Sequence, residues 1–239
     1  MPVTKSSKLA GILTSSESAM VFGRKKKRNQ AYETISLLQY NLTMGVVLLW
    51  GFALNFIIVE IMPITILNYI HPLLFFILYF VGIFYGAYVF SRYDNPLVSF
   101  LGYNLVVIAF GFGIKIILIQ FDYSTINAAM RVTAIVTGVM IIAGTLFPNF
   151  FIKIHWALFT SLISFTLVEL TEVFIFKIHH DIINWVMALI YCGYIGLDWG
   201  RAYRIPKTVD NAIDSAAALY MDIVVLFIRI LSIFGKRRK

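Results

Sequence analysis

The chain alternates between long apolar runs and short polar connections, and this pattern predicts seven membrane-spanning helices. Each run approaches the roughly 20 residues that an α-helix needs to cross a bilayer. The runs are continuous rather than alternating with a period of two, which favours helices over the strands of a membrane barrel. The predicted segments are 35–60, 72–92, 97–120, 126–147, 155–177, 183–204 and 209–234.

Prolines mark the ends of several segments, where helix breaks are expected. They are Pro63, Pro72, Pro96 and Pro148. The connections are short, so neighbouring helices should run antiparallel. The prediction is an all-α polytopic membrane protein: one transmembrane helical domain over 32–235, a basic flexible cytosolic tail at 1–31 and a basic tail at 236–239.

The composition excludes an ordinary soluble domain, because 60% of the residues are hydrophobic and only 13% are charged, against about 25% charged in typical globular proteins. The single cysteine, Cys192, lies in an apolar run. No internal disulfide can form, and a thiolate metal cluster is not expected.

The net charge of +8 is concentrated in two clusters, "GRKKKR" at 23–28 and "KRRK" at 236–239. Basic clusters beside membrane helices typically set topology and contact anionic lipid. A nucleic-acid partner is not expected, since no soluble domain presents the charge. Lysines and arginines in the connections place the N-terminus in the cytosol, whereas seven spans would place "KRRK" outside, so the side of the C-terminus stays open.

A carboxylate interrupts the last apolar run, "AALYMDIVVLFIRIL", at Asp222. Such a residue at mid-membrane costs on the order of 3 kcal/mol. Asp198 lies near the inner end of the preceding segment, and antiparallel helices can bring the two carboxylates together. Two close carboxylates cannot both ionise cheaply, so the pair can sense pH or bind Ca²⁺ transiently. Alternatively, Asp198 pairs with Arg201 one turn away, whereas Arg229 is too far along the helix for a local pair with Asp222.

Asp214 lies eight residues before Asp222 on the same helical face, so it is a candidate for an ion path. It is also close to the helix start, where the helix dipole favours acidic residues. Glu169 and Glu172 are one turn apart on the fifth segment and are predicted to form an outer mouth for cations. The alternative is that they pair with Arg131 or Lys177; the lone Lys115 of the third segment is a further partner to consider.

Enzyme signatures are absent from the sequence: it has no HExxH, GxSxG, CxxC or P-loop pattern. The adjacent His179 and His180 do not face the same way on a helix, which argues against a metal site there. We therefore predict a protein that is not an enzyme and carries no cofactor.

Several stretches resemble one family of membrane proteins. "AALYMDIVVLFIRILSIFG" is similar to the C-terminal helix of the Bax inhibitor-1 family, the transmembrane Bax-inhibitor-motif proteins, in which Leu-Tyr-x-Asp precedes an apolar run ending near Gly. "YIGLDWGRAYRI" resembles the family's sixth helix, "NAAMRVTAIVTGVMIIAGTLFPNFF" its fourth and "NPLVSFLGYNLVVIAFGFG" its third. The resemblance covers 32–235.

This resemblance implies a seven-helix bundle with the C-terminal helix near the centre and a pH-responsive gate formed by Asp198 and Asp222. The implied activity is a passive Ca²⁺ leak, with Ca²⁺ as the transported ion, and the implied location is a bacterial plasma membrane. In relatives, an arginine on the second helix latches one aspartate. Arg92 matches it by position, and Arg201 is the other candidate. Trp199, in "LDWG", departs from the family's usual surround.

Two other functions remain open at this stage. One is a non-conducting interaction protein with a membrane-protein partner, regulating a membrane protease or stress and cell-death machinery. The other is a proton-coupled secondary transporter, for which inverted repeats and broken midplane helices would be typical. Neither feature is visible in the sequence, so we rank the transporter third.

Overall fold

The computed structural model describes residues 33–63, 71–177 and 180–235. The basic clusters at 23–28 and 236–239, and His179, lie outside these residues. The predictions about lipid contact, topology and the tails therefore remain predictions.

The prediction of an all-helical polytopic membrane protein is confirmed. Seven helices among the described residues are long and apolar enough to cross a membrane, and this part of the chain contains no β-strand. The helices are α1 (Leu37–Ile61), α2 (Pro72–Arg92), α3 (Pro96–Leu118), α4 (Tyr123–Leu146), the short α5 (Pro148–Lys153), α6 (His155–Thr171), α7 (Asp181–Ala202) and α8 (Val209–Phe234).

Local sequence explains where several helices begin. Ser36 and Gln39 form a reciprocal capping box at the start of α1, which satisfies two backbone donors. Proline occupies the first turn of α2, α3 and α5, where its missing N–H costs nothing. The Thr208 side chain accepts a hydrogen bond from the Asn211 N–H and caps α8.

Two features differ from the predicted segments. The short helix α5 precedes α6, and α6 ends at Thr171 rather than at 177. A single π-helical turn, Glu172–Phe176, follows it and ends at Lys177, whose φ of 53° is left-handed. The apolar run continues through this change, so the hydrophobic pattern did not predict the π-helical turn.

The C-terminal helix α8 is the centre of the bundle. It packs against α1, α3, α4 and α7, and its buried positions run from its first turn to its last. By contrast, α6 has no buried residue, and α2 packs mainly on α3. Polar groups along α8 therefore face other helices rather than lipid, as the predicted central position requires.

The crossing of α4 and α7 depends on two glycines. A Cβ added to Gly144 of α4 would lie 2.7 Å from the carbonyl oxygen of Gly196 on α7. Small residues at such a crossing let two helix backbones approach closely in a membrane. This contact fixes the position of α7, the helix that carries Asp198.

Candidate functional site

Asp198 and Asp222 are brought together where α7 and α8 run side by side. The two carboxyl groups lie close enough to interact directly. Asp222 is 8% exposed, and the Asp198 side chain is 15% exposed. Asp198 lies near the C-terminal end of α7, and Asp222 lies near the middle of α8. We call the end of the bundle where α7 ends and α8 begins, which the sequence predicts to face the cytosol, the inner end.

The proximity of these carboxyl groups has a chemical consequence. Two carboxylates are both acceptors, so they can share a hydrogen bond only if one of them carries a proton. On the far side, Asp198 accepts a hydrogen bond from Arg201 at 3.0 Å. Arg201, Asp198 and Asp222 thus form a chain in which one guanidinium lies beside two acidic groups.

Asp222 also has an unsatisfied acceptor. Its Oδ2 atom is buried and has no hydrogen-bond partner among the described residues. A buried polar atom without a partner is costly. A water molecule or a cation at this atom would satisfy it.

A cavity of about 460 Å³ opens beside the pair at the inner end. Its polar lining consists of Ser91, His155, Asp198, Arg201, Arg204, Asp214 and Ser215. Asp198 belongs to the wall, whereas Asp222 lies one layer deeper and does not line it. The volume is enough for several water molecules, each of which takes up about 30 Å³ in the liquid. Asp198 therefore lies between a space that can hold water and the buried carboxyl of Asp222.

The two candidate latch arginines occupy different places. Arg201 is bonded to Asp198 and lines the cavity. Arg92 is exposed at the end of α2 and lies outside the cavity wall, although its neighbours Phe90 and Ser91 are part of it. The arginine beside the carboxyl pair is Arg201.

The two acidic residues in the first turns of α8, Asp210 and Asp214, have different surroundings. Asp214 lines the cavity, as expected of an ion-path residue. Asp210 instead is buried and accepts a hydrogen bond from the Ser99 hydroxyl at 2.7 Å, which ties α8 to α3. The Tyr40 hydroxyl lies 2.9 Å from that of Ser215 and ties α8 to α1.

Glu169 and Glu172 bond to different partners. Glu169 accepts two hydrogen bonds from Arg229, at 2.6 and 2.8 Å. Glu172 accepts from the backbone N–H of His180 at 3.2 Å and lies 2.7 Å from its Nδ1. Arg131, an alternative partner for Glu169, is exposed on α4. Lys115 donates to the carbonyl of Val59 at 2.5 Å.

Arg229, Asn184 and Tyr191 were not predicted as site residues. A spacing of seven residues, or about two helical turns, keeps side chains on nearly the same helical face and could have identified them. The polar positions that follow this spacing are Asn184, Tyr191 and Asp198 on α7, and Ser215, Asp222 and Arg229 on α8.

The polar positions on α7 and α8 interact with each other. Arg229 donates to the Asn184 side chain at 3.2 Å, and Tyr191 interacts electrostatically with Asp222, Arg229 and Glu169. We call these six residues the polar column: Asn184, Tyr191 and Asp198 on α7, and Ser215, Asp222 and Arg229 on α8.

The described residues contain no group of three or more His, Cys, Asp or Glu side chains placed to hold a metal. Two carboxylates are fewer than the six to eight oxygen ligands that Ca²⁺ takes. Asp198 and Asp222 alone therefore do not supply the ligands of a complete Ca²⁺ site.

Comparison with known proteins gives one result about ancestry. A search of curated protein sequences found no match to this chain. The family model described as inhibitor of apoptosis-promoting Bax1 matches residues 38–239, which covers every described helix but the first residue of α1. The chain, an integral multi-pass membrane protein, therefore belongs to the Bax inhibitor-1 family.

Proposed function

We propose that this protein is a pH-sensitive Ca²⁺ leak channel gated by Asp198 and Asp222. The observation that supports the proposal is the direct approach of these two carboxyl groups, on the central helix and its neighbour, beside a cavity of about 460 Å³. A lipid-exposed or merely structural carboxylate would need neither the partner acid nor the cavity.

The proposed switch follows from the proton that the pair shares. While one proton is present, the hydrogen bond links α7 to α8 and the pair carries a single negative charge. When the proton leaves, two negative charges lie side by side and repel each other. Repulsion weakens the contact between the helices, and the doubly charged pair attracts a divalent cation. Proton loss and Ca²⁺ attraction are thus coupled at one site.

Ca²⁺ uptake into liposomes tests the leak itself. Purified protein is reconstituted with an internal Ca²⁺ indicator, and uptake is compared with that of protein-free vesicles of the same lipid. Protein-dependent uptake supports the channel. No uptake at any pH removes it and favours the non-conducting interaction protein. Uptake that saturates and follows an imposed proton gradient favours the transporter.

The proposed location is a bacterial plasma membrane with the N-terminus in the cytosol. It rests on the distribution of lysine and arginine in the connections. Labelling of cysteines introduced singly into the N-terminal tail, by an impermeant reagent on intact cells, tests it. Labelling without lysis would contradict a cytosolic N-terminus.

Replacing Arg201 by Gln is expected to move the pH midpoint of Ca²⁺ uptake to higher pH. The guanidinium bonded to Asp198 favours the ionised form of the carboxyl pair. Without it, the proton is held more tightly, and a higher pH is needed to remove it. The measurement is the uptake rate at a series of pH values.

Arg92→Gln is the matched control for this substitution. Arg92 is exposed and lies outside the cavity wall, so its removal should leave the midpoint where it is in the wild type. A midpoint that moves in Arg92→Gln and stays in place in Arg201→Gln would make Arg92 the latch and contradict our assignment.

A further inference from the structure

The outer half of the bundle contains a second charged group that the aspartate gate does not use. Arg229 lies on α8 seven residues beyond Asp222, or about 10 Å along the helix at 1.5 Å per residue. It forms two hydrogen bonds with the Glu169 carboxylate, at 2.6 and 2.8 Å, and a third with Asn184 at 3.2 Å. The side chains of Arg229 and Glu169 are 16% and 22% exposed.

This ion pair lies on the same column as the aspartates. Tyr191 of α7 is seven residues from Asn184, which bonds to Arg229, and seven residues from Asp198, so it lies between the two levels. A cation that passed Asp222 along this face of α8 would next meet Arg229. The column therefore has two charged levels in series, an acidic one nearer the inner end and a basic one beyond it.

The ion pair also links a peripheral helix to the central one. Helix α6 has no buried residue and packs mainly on α7, yet Glu169 reaches Arg229 on α8. The helix changes into the π-helical turn three residues after Glu169, where Glu172 contacts His180 just before α7. Two side-chain contacts thus hold the outer end of α6, and one of them, the Glu169–Arg229 ion pair, lies on the polar column.

The charge on Arg229 determines what this level does to a cation. A guanidinium in a membrane-spanning helix repels Ca²⁺ strongly, since the surroundings screen charge poorly. Glu169 neutralises the guanidinium and holds its fork in place with two bonds. With both partners present, the level carries no net charge, but the guanidinium still repels a divalent ion at close range.

We propose that the Glu169–Arg229 pair is a second barrier to Ca²⁺, in series with the aspartate gate, and that Arg229 limits the rate of the leak. The inference rests on the proposed channel function and deepens it. It assigns Arg229 a role in restricting divalent cations and Glu169 the role of balancing and positioning it.

The test measures Ca²⁺ uptake into liposomes by Arg229→Gln, Glu169→Gln and the exchange of the two charges, Glu169→Arg with Arg229→Glu. Arg229→Gln should raise uptake at least about tenfold, because it removes a positive charge from the path. It should keep the pH response, since Asp198 and Asp222 are intact. Glu169→Gln should lower uptake, because the guanidinium is then unbalanced. The exchanged pair should return uptake towards the wild-type rate.

Lys115→Gln is the matched control, because Lys115 is another cation within a membrane-spanning helix but donates to the carbonyl of Val59 on α1 rather than to Glu169. Its uptake should equal that of the wild type. Circular dichroism and gel filtration of each variant show whether it folds. Arg229→Lys, which should stay at the wild-type rate because it keeps the charge, separates loss of charge from loss of the side chain's shape.

The outcomes separate this inference from the proposed function. If wild-type protein leaks with a pH response, but Arg229→Gln leaks at the wild-type rate or no faster than Lys115→Gln, the pair is only a structural link and the second barrier is wrong. A swap that fails to restore uptake in a folded protein also overturns it. If the wild-type protein shows no uptake, the channel proposal falls, and this inference falls with it.

Discussion

Replacing Asp222 by Asn is expected to give Ca²⁺ uptake that no longer changes between about pH 5.5 and pH 8. Asparagine has nearly the same shape as aspartic acid, and its amide can donate the hydrogen bond to Asp198 that the protonated carboxyl donates. It cannot release that proton. The contact between α7 and α8 is then fixed in its protonated form at every pH. Uptake measured across the pH range, at constant Ca²⁺ gradient, checks this.

The same reasoning applies to Asp198→Asn, which leaves Asp222 with a permanently uncharged partner. Asp214→Asn serves as the comparison, because Asp214 lines the cavity on the same helix, two turns from Asp222. This variant should retain the pH response even if its uptake rate changes. A pH response that persists in Asp222→Asn, or is lost only in Asp214→Asn, would show that the switch is elsewhere.

Gly144→Ala is expected to lower the free energy of unfolding by about 1–3 kcal/mol, the range for overpacking a tight contact. The new Cβ would lie 2.7 Å from the carbonyl oxygen of Gly196 and 3.2 Å from its Cα. Both are backbone atoms of α7, so no side chain can rotate away to relieve the clash. The helices must separate instead. Denaturant unfolding in detergent micelles, followed by circular dichroism, measures the change.

Gly138→Ala on the same helix is the control, since a Cβ at Gly138 meets nothing within 4 Å. Alanine is favoured over glycine in a helix, so this variant should be as stable as the wild type or more stable. Equal stability of Gly144→Ala and the wild type would mean that α4 and α7 are not packed as closely as described. Because α7 carries Asp198, the Gly144 variant should also alter the pH midpoint of uptake.

Much of the fold could be predicted from the sequence, because a lipid environment allows a chain few backbone structures. Every backbone group must be satisfied within the membrane, so long apolar runs become helices, and prolines mark their first turns. The last helix was predicted at 209–234 and is observed at Val209–Phe234. Asp198 and Asp222 were expected to meet, since they lie on consecutive antiparallel helices, and the structure places them in contact.

The outer half of the candidate site could not be predicted from the sequence in the same way. Arg229 and Glu169 are separated by 60 residues and lie on helices that are not consecutive. Sequence spacing shows which residues share a face of one helix, but it does not show how two distant helices are rotated toward each other. Arg229 was considered only as a local partner of Asp222. Hydropathy likewise did not distinguish the π-helical turn after Thr171 from a continued α-helix.

Arg92 and Arg201 are both predicted latches, and the two glutamine variants decide between them. Position along the second helix pointed to Arg92, whose side chain is exposed at the helix end. Arg201, one turn after Asp198 on the same helix, bonds to it. The spacing of three residues made this contact predictable from the sequence.

Ca²⁺ uptake into liposomes as a function of pH, with wild-type protein and Asp222→Asn prepared side by side, tests the central claim most directly. The account predicts protein-dependent uptake that changes with pH in the wild type and is the same at every pH in the variant. Wild-type vesicles that take up no more Ca²⁺ than empty ones, or a folded variant with the wild-type pH profile, would contradict it.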